Sequence, residues 1–504
     1  MPTPSTFARF DRRMLLRGAL AVTAASWVPR RSYAADAVSS TGETVMLSDA
    51  AIADLQKSIK GSLVLPSNPE YDTARRVWSP NVNKYPALIA KVTSVEDIQA
   101  TIQFARRHNL LTAVKCGGHE YNGHGMADKG LTIDLGGFGG VQVDKTKKLA
   151  FVNGGAMLGE LDEATIPSNL AVTNGTANHT GIGGLATGLG QGRLSRVLGY
   201  TIDNLRSIEL ITPEGKLVRA NAKENPDLFW AVRGGGGNFG IVTKFELQLH
   251  EIDPNNLTSF GYTFPVAKAK DVLKYYFEMA DKVPNEMALS SGVTTAENGE
   301  ISVSFNGNFW GSPEEAQKLL AGIDRFGEPT RKRFDKADYL KVQSAGAGPK
   351  LSTRTLYMHS GFFDKVDSKI PDVVVDRLTK APMPRAGIRF SQQAGAASKV
   401  AANATAYPYR KVLHQCAADG NWLDPKDGPA LRQYANESWD LLKPMSNGGF
   451  YINYYCDPTE DDMKRAYGAN YEKLSEVKAK YDPTNFMKLN FNIKPKGSNK
   501  RASR

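Results

Sequence analysis

Hydrophobic residues recur along this chain with two periods, and the change from one to the other outlines its elements. Val95, Ile98, Ile102 and Ala105 fall on one helical stripe behind Ser94, an N-cap residue with an acid, Asp97, three positions on. This spacing predicts an amphipathic helix over 94–109. Two short apolar runs bracket it, Pro86 to Val92 and Leu111 to Val114, and both read as buried strands. Further strands are expected at Leu131 to Leu135, at Leu149 to Asn153, and at Ile241 to Leu247, where polar and apolar residues alternate after a helical stretch over 225–232. Beyond Leu249 the texture changes. Ile301 to Phe305 alternates as a sheet with one wet face does. Ser312-Pro313-Glu314-Glu315 supplies an N-cap, a first-turn proline and an acid at the third helical position, opening a helix that should run to about Ile323. The pattern is α+β. At 504 residues the chain exceeds a single core, and the break in texture divides a first domain over 38–250 from a sheet-and-helix domain over 251–449.

Glycine density marks the chemistry. The strand ending at Val114 runs straight into KCGGHEYNGHG (115–125), a second dense stretch covers 174–193, and a third is RGGGGNFG (233–240). Consecutive glycines let backbone N–H groups converge on an anion, and three such loops suggest an extended, phosphate-bearing ligand. A metal, a nucleotide phosphate and a covalently held cofactor are the candidates for the first loop. Cys116, His119 and His124 have no carboxylate cluster beside them, which argues against a metal. Gly235, Gly237 and Gly240 spell GxGxxG, but that fingerprint needs a strand before it and a helix after it. Here the order is reversed, which argues against a nicotinamide-binding fold.

Composition narrows the class further. Net charge is +11, yet lysine and arginine are dispersed, so a solvated basic surface is expected and no nucleic-acid partner. The three cysteines, Cys116, Cys416 and Cys456, form no CxxC pair; neither zinc nor a disulfide framework is indicated, and pairing of Cys416 with Cys456 is left open. Asp11-Arg12-Arg13-Met14-Leu15-Leu16-Arg17 precedes a short apolar run and small residues at 32–34. This reads as a twin-arginine signal peptide over 1–34, hence export to the periplasm or medium, with no membrane span expected.

Several motifs resemble those of the berberine-bridge-enzyme-like oxidoreductases, within the vanillyl-alcohol-oxidase superfamily. They are Gly117-Gly118-His119-x-Tyr121, Gly175-Thr176-Ala177-x-x-Thr180-Gly181-x-Gly183-Gly184, Tyr200-x-x-Asp203-Asn204 and Asp227-Leu228-Phe229-Trp230 through Gly240. Near the carboxy terminus come Tyr451-Ile452-Asn453-Tyr454, Tyr467-Gly468-x-Asn470-Tyr471, Lys480-Tyr481-Asp482-Pro483-x-Asn485-Phe486 and Asn492-Ile493-x-Pro495. The resemblance implies a two-part FAD-binding domain of the PCMH type and a substrate domain built on an antiparallel sheet covered by helices. It also implies a carboxy-terminal segment, 450–498, that returns to the FAD domain.

It implies further that FAD is attached covalently to His119 through one imidazole nitrogen. Gly117, Gly118, Gly181, Gly183 and Gly184 would bring backbone donors to the pyrophosphate. Lys115, Cys116, Asn174, Gly175, Thr180, Gly237, Ile241, Val242, Asn490 and Asn492 complete the implied cofactor set. Relatives with a second covalent bond carry a cysteine where this chain has Ala177, so one bond is expected. Thr180 falls where relatives modulate oxygen access.

The implied chemistry is hydride removal from an alcohol, sugar or amine, with oxygen or another acceptor reoxidising the flavin. A non-catalytic flavin-binding protein and a flavin dehydrogenase that does not use oxygen are the rivals. The proton falls to Tyr454, with Asn453 nearby and Tyr121 as the phenol expected to lower its pKa from the usual 10. Pleat alternation would put Asn453 and Tyr454 on opposite faces, so both serving one site requires an irregularity. His414, Trp422, Asp419 and Tyr409 are the substrate-contact candidates. Ala417 stands where several relatives carry a polar group, and His179 is expected to stabilise its loop.

Overall fold

The computed structural model describes residues 33–345, 348 and 350–497. The expected signal segment therefore lies almost wholly outside the described residues. Strand, helix and strand form as anticipated. Leu88–Lys91 and Thr112–Lys115 flank Leu131–Asp134 in parallel, and Ser62–Val64 adds an antiparallel edge. The crossover helix is Val95–Arg107. Ser94 Oγ accepts from the Asp97 N–H, and Ile98, Ile102 and Ala105 are fully buried. A parallel pair requires such a crossover, and the helix stripe pays for its ordering by covering the sheet.

A five-stranded antiparallel sheet follows, in the order Leu217–Asn221, Leu205–Ile211, Ile241–Gln248, Leu149–Asn153, Val141–Asp144. Helix Pro226–Gly235 precedes the glycine turn and strand Ile241–Gln248 succeeds it. The reversed order read from the sequence is the observed one.

The third sheet has seven antiparallel strands: Arg331–Ala337, Leu257–Pro265, Ile301–Phe309, Met287–Thr295, Ala386–Gln392, His414–Trp422 and Thr355–Phe363. Helices Ala269–Ala280, Ile370–Lys380 and Gly428–Leu442 cover one face. Val303 and Phe305 point into that core, while Ser302 and Ser304 between them stay half-buried on the other side. The helix opened by Ser312 ends at Leu319, short of Ile323, because Gly322 takes a left-handed φ of +101° and turns the chain into the short 3-10 segment Ile323–Phe326.

Residues beyond 450 return to the five-stranded sheet. Phe450, Ile452, Met463, Leu474 and Ile493 share a core with Leu228, Trp230, Val242 and Phe245. Lys478, fully buried, fastens this segment: its Nζ donates to the carbonyls of Asn238 (2.7 Å) and Met487 (2.9 Å) and pairs with Asp482 (2.7 Å). The Asp482 carboxylate in turn accepts from the N–H groups of Phe486 and Met487. All three cysteines are unpaired, which answers the question left open for Cys416 and Cys456. Among the described residues no helix is long and apolar enough to cross a membrane.

Candidate active site

The strand Thr112–Lys115 delivers its glycine loop against the second glycine loop at contact distance. A Cβ on Gly117 would stand 2.2 Å from the Gly181 nitrogen, and one on Gly181 would stand 2.2 Å from Cys116 Sγ and 2.3 Å from the Gly117 nitrogen. Only glycine at both positions lets the two backbones meet. A Cβ on Gly184 or Gly237, by contrast, would meet nothing within 4 Å, because both face a cavity of about 430 Å³. That volume lies in the range of small-molecule and cofactor sites. Cys116 braces the loop from behind: its thiol donates to the Gly154 carbonyl at 3.3 Å, and burial raises its pKa to about 11. It is a structural thiol.

His119 lines this cavity. Its ring stacks on Trp78 (5.6 Å between centroids, 25° between planes), and its Nε2 lies 2.6 Å from Nδ1 of His179. Burial, and then the neighbouring His179, pull its pKa down to about 4, so the imidazole is neutral at physiological pH and one ring nitrogen keeps its lone pair. The Glu120 carboxylate shapes the loop beyond it, accepting from the N–H groups of Asn122 and His124 at 2.8 Å each.

Tyr121, Tyr451, Asn453 and Tyr454 line the same cavity. The irregularity that Asn453 and Tyr454 required is a 3-10 turn over Ile452–Tyr454, closed by the Tyr454 N–H on the Tyr451 carbonyl at 2.9 Å. Pleat alternation does not apply to a turn. Asn453 Nδ2 donates to Tyr451 Oη at 2.9 Å. The expected lowering of the Tyr454 pKa is corrected by the structure. Burial raises it, and Tyr121 is raised well above 10, first by burial and then by Tyr454. An ionised Tyr454 repels a second phenolate beside it, so it hinders deprotonation of Tyr121.

These features suit a ligand that combines an anionic group with a flat ring: bare glycine backbone in the wall, and an uncharged imidazole beside aromatic rings. No group of three or more His, Cys, Asp or Glu is placed to hold a metal among the described residues. A family model for an FAD binding domain matches residues 86–221, and a model described as berberine and berberine like matches 450–494. Berberine bridge enzyme-like 7 of Arabidopsis thaliana is 29% identical over 477 residues, spanning 86% of this chain and 88% of that protein. The chain carries the FAD-binding and berberine-like segments of an FAD-linked oxidoreductase and resembles the berberine-bridge-enzyme-like proteins. Among solved structures of similar fold, 6-hydroxy-D-nicotine oxidase of Arthrobacter nicotinovorans superposes with a TM-score of 0.81 at 24% identity, covering 87% of this chain and 99% of the other. A chitooligosaccharide oxidase gives 0.78 at 25%, covering 89% and 100%.

The cavity gathers most of the expected cofactor residues. Lys115, Cys116, Gly117, Gly118 and His119 line it, as do Gly175, Thr180, Gly181, Gly183 and Gly184. Gly237, Ile241, Val242 and Asn490 line it too. Lys115 is already paired with Asp134 at 2.9 Å. Asn174 and Asn492 do not line the cavity; Asn174 is fully buried behind the wall, where its Nδ2 holds the Leu158 carbonyl at 3.0 Å.

None of the four substrate-contact candidates reaches the cavity. His414 and Trp422 occupy the helix-covered face of their strand. His414 Nδ1 lies 3.1 Å from Tyr276 Oη, and Trp422 packs under Arg432. Asp419 points to the other face but is held by Arg389. Tyr409 Oη donates to the Arg465 carbonyl. Trp78 and Gln191 also line the cavity; Trp78 lies in no periodic segment or motif, and Gln191 sits within the glycine-dense stretch 174–193 without a signal of its own. Tyr451 was visible in its motif, but no chemistry singled it out.

Proposed function

We propose that this protein holds FAD through a single covalent bond to His119 and removes hydride from an alcohol, sugar hemiacetal or amine, with Tyr454 taking the accompanying proton. The observation that carries this reading is convergence: the neutral His119 imidazole lines the same cavity as Tyr121, Asn453 and Tyr454. Ala177 stands where a second tether would need a cysteine, which supports one bond. The similar proteins named for an amine and for an oligosaccharide support the substrate classes. The twin-arginine pattern supports export, with the cofactor acquired before translocation.

When bound, FAD supplies a two-electron acceptor for hydride. The chain's own contribution is binding and proton handling. Gly117, Gly118, Gly181 and Gly183 offer backbone N–H groups to the pyrophosphate. Trp78, Tyr121 and Tyr451 exclude water from the reacting end. Tyr454, as phenolate, accepts the O–H or N–H proton while the adjacent C–H bond breaks, and Asn453, anchored on Tyr451 Oη, orients the polar group. Thr180 lines the cavity where oxygen would enter.

Acid precipitation of the purified protein tests the attachment. Flavin should stay with the pellet and map to the peptide holding residues 115–125, and His119→Ala should release all of it. A supernatant carrying all the colour of the unmutated protein refutes the covalent reading. An aerobic panel of alcohols, sugars and amines then sorts the acceptor: peroxide formed with product marks oxygen, and dye reduction without peroxide marks another acceptor.

A further inference from the structure

The 2.6 Å contact between His119 Nε2 and His179 Nδ1 is among the tightest side-chain contacts in the cavity wall, and hydride transfer makes no use of it. We propose that His179 is the positioning and proton-accepting residue for covalent attachment of the flavin to His119. This rests on the single-bond reading above.

Two ring nitrogens this close share one proton: one donates and the other accepts. Burial at His119 disfavours a second proton there. If His119 Nε2 is the donor, the lone pair sits on His119 Nδ1, which is then the nucleophile, and the proton to be shed already faces His179. If Nε2 were the acceptor, Nδ1 would carry the hydrogen and neither nitrogen could attack. With His119 Nε2 as donor, the His179 contact holds the reactive tautomer and provides an exit for its proton. Trp78, stacked at 25° to the His119 ring, limits how far that ring can turn away from His179.

The step balances as follows. One C–H bond of the flavin's ring methyl breaks and one N–C bond to His119 forms. The methyl proton leaves, and the imidazole proton passes from Nε2 to His179 Nδ1. The electron pair of the broken C–H stays on the isoalloxazine, which takes up both protons. Dioxygen then removes two electrons and two protons as hydrogen peroxide, leaving oxidised flavin joined to His119.

The full-length chain, made under riboflavin limitation and purified, is incubated aerobically with FAD. Two quantities are followed: flavin bound, from quenching of its fluorescence, and flavin that survives trichloroacetic acid precipitation. The unmutated protein should convert bound flavin to the acid-stable form. His179→Ala should still bind FAD but attach it about 100-fold more slowly, the lower range for loss of a positioned base, and millimolar imidazole should restore part of the rate. His179→Gln, whose side-chain oxygen can hold the His119 Nε2–H without taking its proton, should fall between the two. A variant lacking only packing would show neither imidazole rescue nor this order. Attachment by His179→Ala and His179→Gln at the unmutated rate overturns the proposal while leaving the covalent reading intact. Complete release of flavin from the unmutated protein sinks both together.

Discussion

Replacing Gly117 by alanine adds a single methyl group at the closest approach in the cavity wall. The new Cβ would lie 2.2 Å from the Gly181 nitrogen, 2.9 Å from its Cα and 3.0 Å from the Thr180 carbonyl carbon. All three obstacles are backbone, so no rotamer change relieves them. Ordinary contact begins near 3.4 Å, and the loops must therefore part by about 1.2 Å. Neither has slack. Gly181 abuts Cys116 Sγ, whose thiol is bonded to the Gly154 carbonyl, and a Cβ on Gly154 would lie 2.0 Å from the Val242 carbonyl oxygen.

Overpacking of this kind costs about 1–3 kcal/mol, and rigid obstacles place Gly117→Ala in the upper half. At roughly 2 °C per kcal/mol for a unit of this size, the thermal midpoint of the FAD-binding unit should fall by about 4–6 °C. Parting the loops also displaces the N–H groups around the pyrophosphate, and losing one charge-assisted hydrogen bond costs about 1.5–3 kcal/mol. In a His119→Ala background, where binding is reversible, the Kd for FAD measured by fluorescence quenching should rise about 10- to 100-fold. Gly184→Ala is the control: its Cβ would enter open space, so the melting temperature without FAD should stay within about 1 °C. A Gly117→Ala protein matching its parent in both melting temperature and Kd would refute the close-approach reasoning.

Tyr454→Phe should bind FAD normally yet lower the rate of flavin reduction by substrate about 10²- to 10⁴-fold in anaerobic stopped flow. Because burial raises the Tyr454 pKa above 10 and the phenolate is the accepting form, kcat/KM should climb about tenfold per pH unit through pH 9, and the phenylalanine variant should be flat. Burial raises Asp162 to about 6, so its protonated form favours the fold: that contribution is full below pH 3.8 and lost as pH rises through 6. Asp162→Asn should therefore raise the melting temperature at pH 7–8 and flatten its change between pH 4 and 6. Lys478→Met leaves the Asp482 carboxylate buried without its cation and should cost about 3–5 kcal/mol, read by denaturant unfolding. Adding Asp482→Asn should recover part of that loss, and an Asp482→Asn effect identical in the parent and in Lys478→Met would show the pair to be uncoupled.

Local order was legible wherever one element is decided by its own residues. Ser94 with Asp97 announced the crossover helix, the alternation after Ile301 announced a one-sided strand, and the helix–turn–strand order around Gly237 argued against the nicotinamide-binding fold that its glycines spell. Contacts made across the chain were not legible. His119 and His179 are 60 residues apart, and Trp78 lies 41 residues before His119. Nothing in the spacing of any segment says that these three rings meet. The family motifs brought most of the cavity-lining residues together as a set, but Asn174, beside one motif, holds the Leu158 carbonyl from outside the cavity, and Asn492, within another, does not line it.

The substrate candidates that lie outside the cavity and the Asn453–Tyr454 pair that lines it turn on the same rule. On one strand, His414 and Trp422 share parity and Asp419 has the opposite one, so the three could not all face one ligand. The strand is continuous from His414 to Trp422, parity holds along it, and the even positions went to the helices. For Asn453 and Tyr454 the same rule raised an objection that the 3-10 turn dissolves. Pleat parity therefore discriminates only where the backbone is extended, and side chains that must converge on one point from adjacent positions are better carried by a turn. That geometry is also why Tyr454 sits deep enough for burial to act on its phenol. Within the chain, burial moves that pKa upward, and a neighbouring phenol adds to the penalty at Tyr121. The residue best placed to take a proton is thus the one that the surrounding wall keeps protonated, and the pH profile of Tyr454 measures how far the bound substrate offsets it.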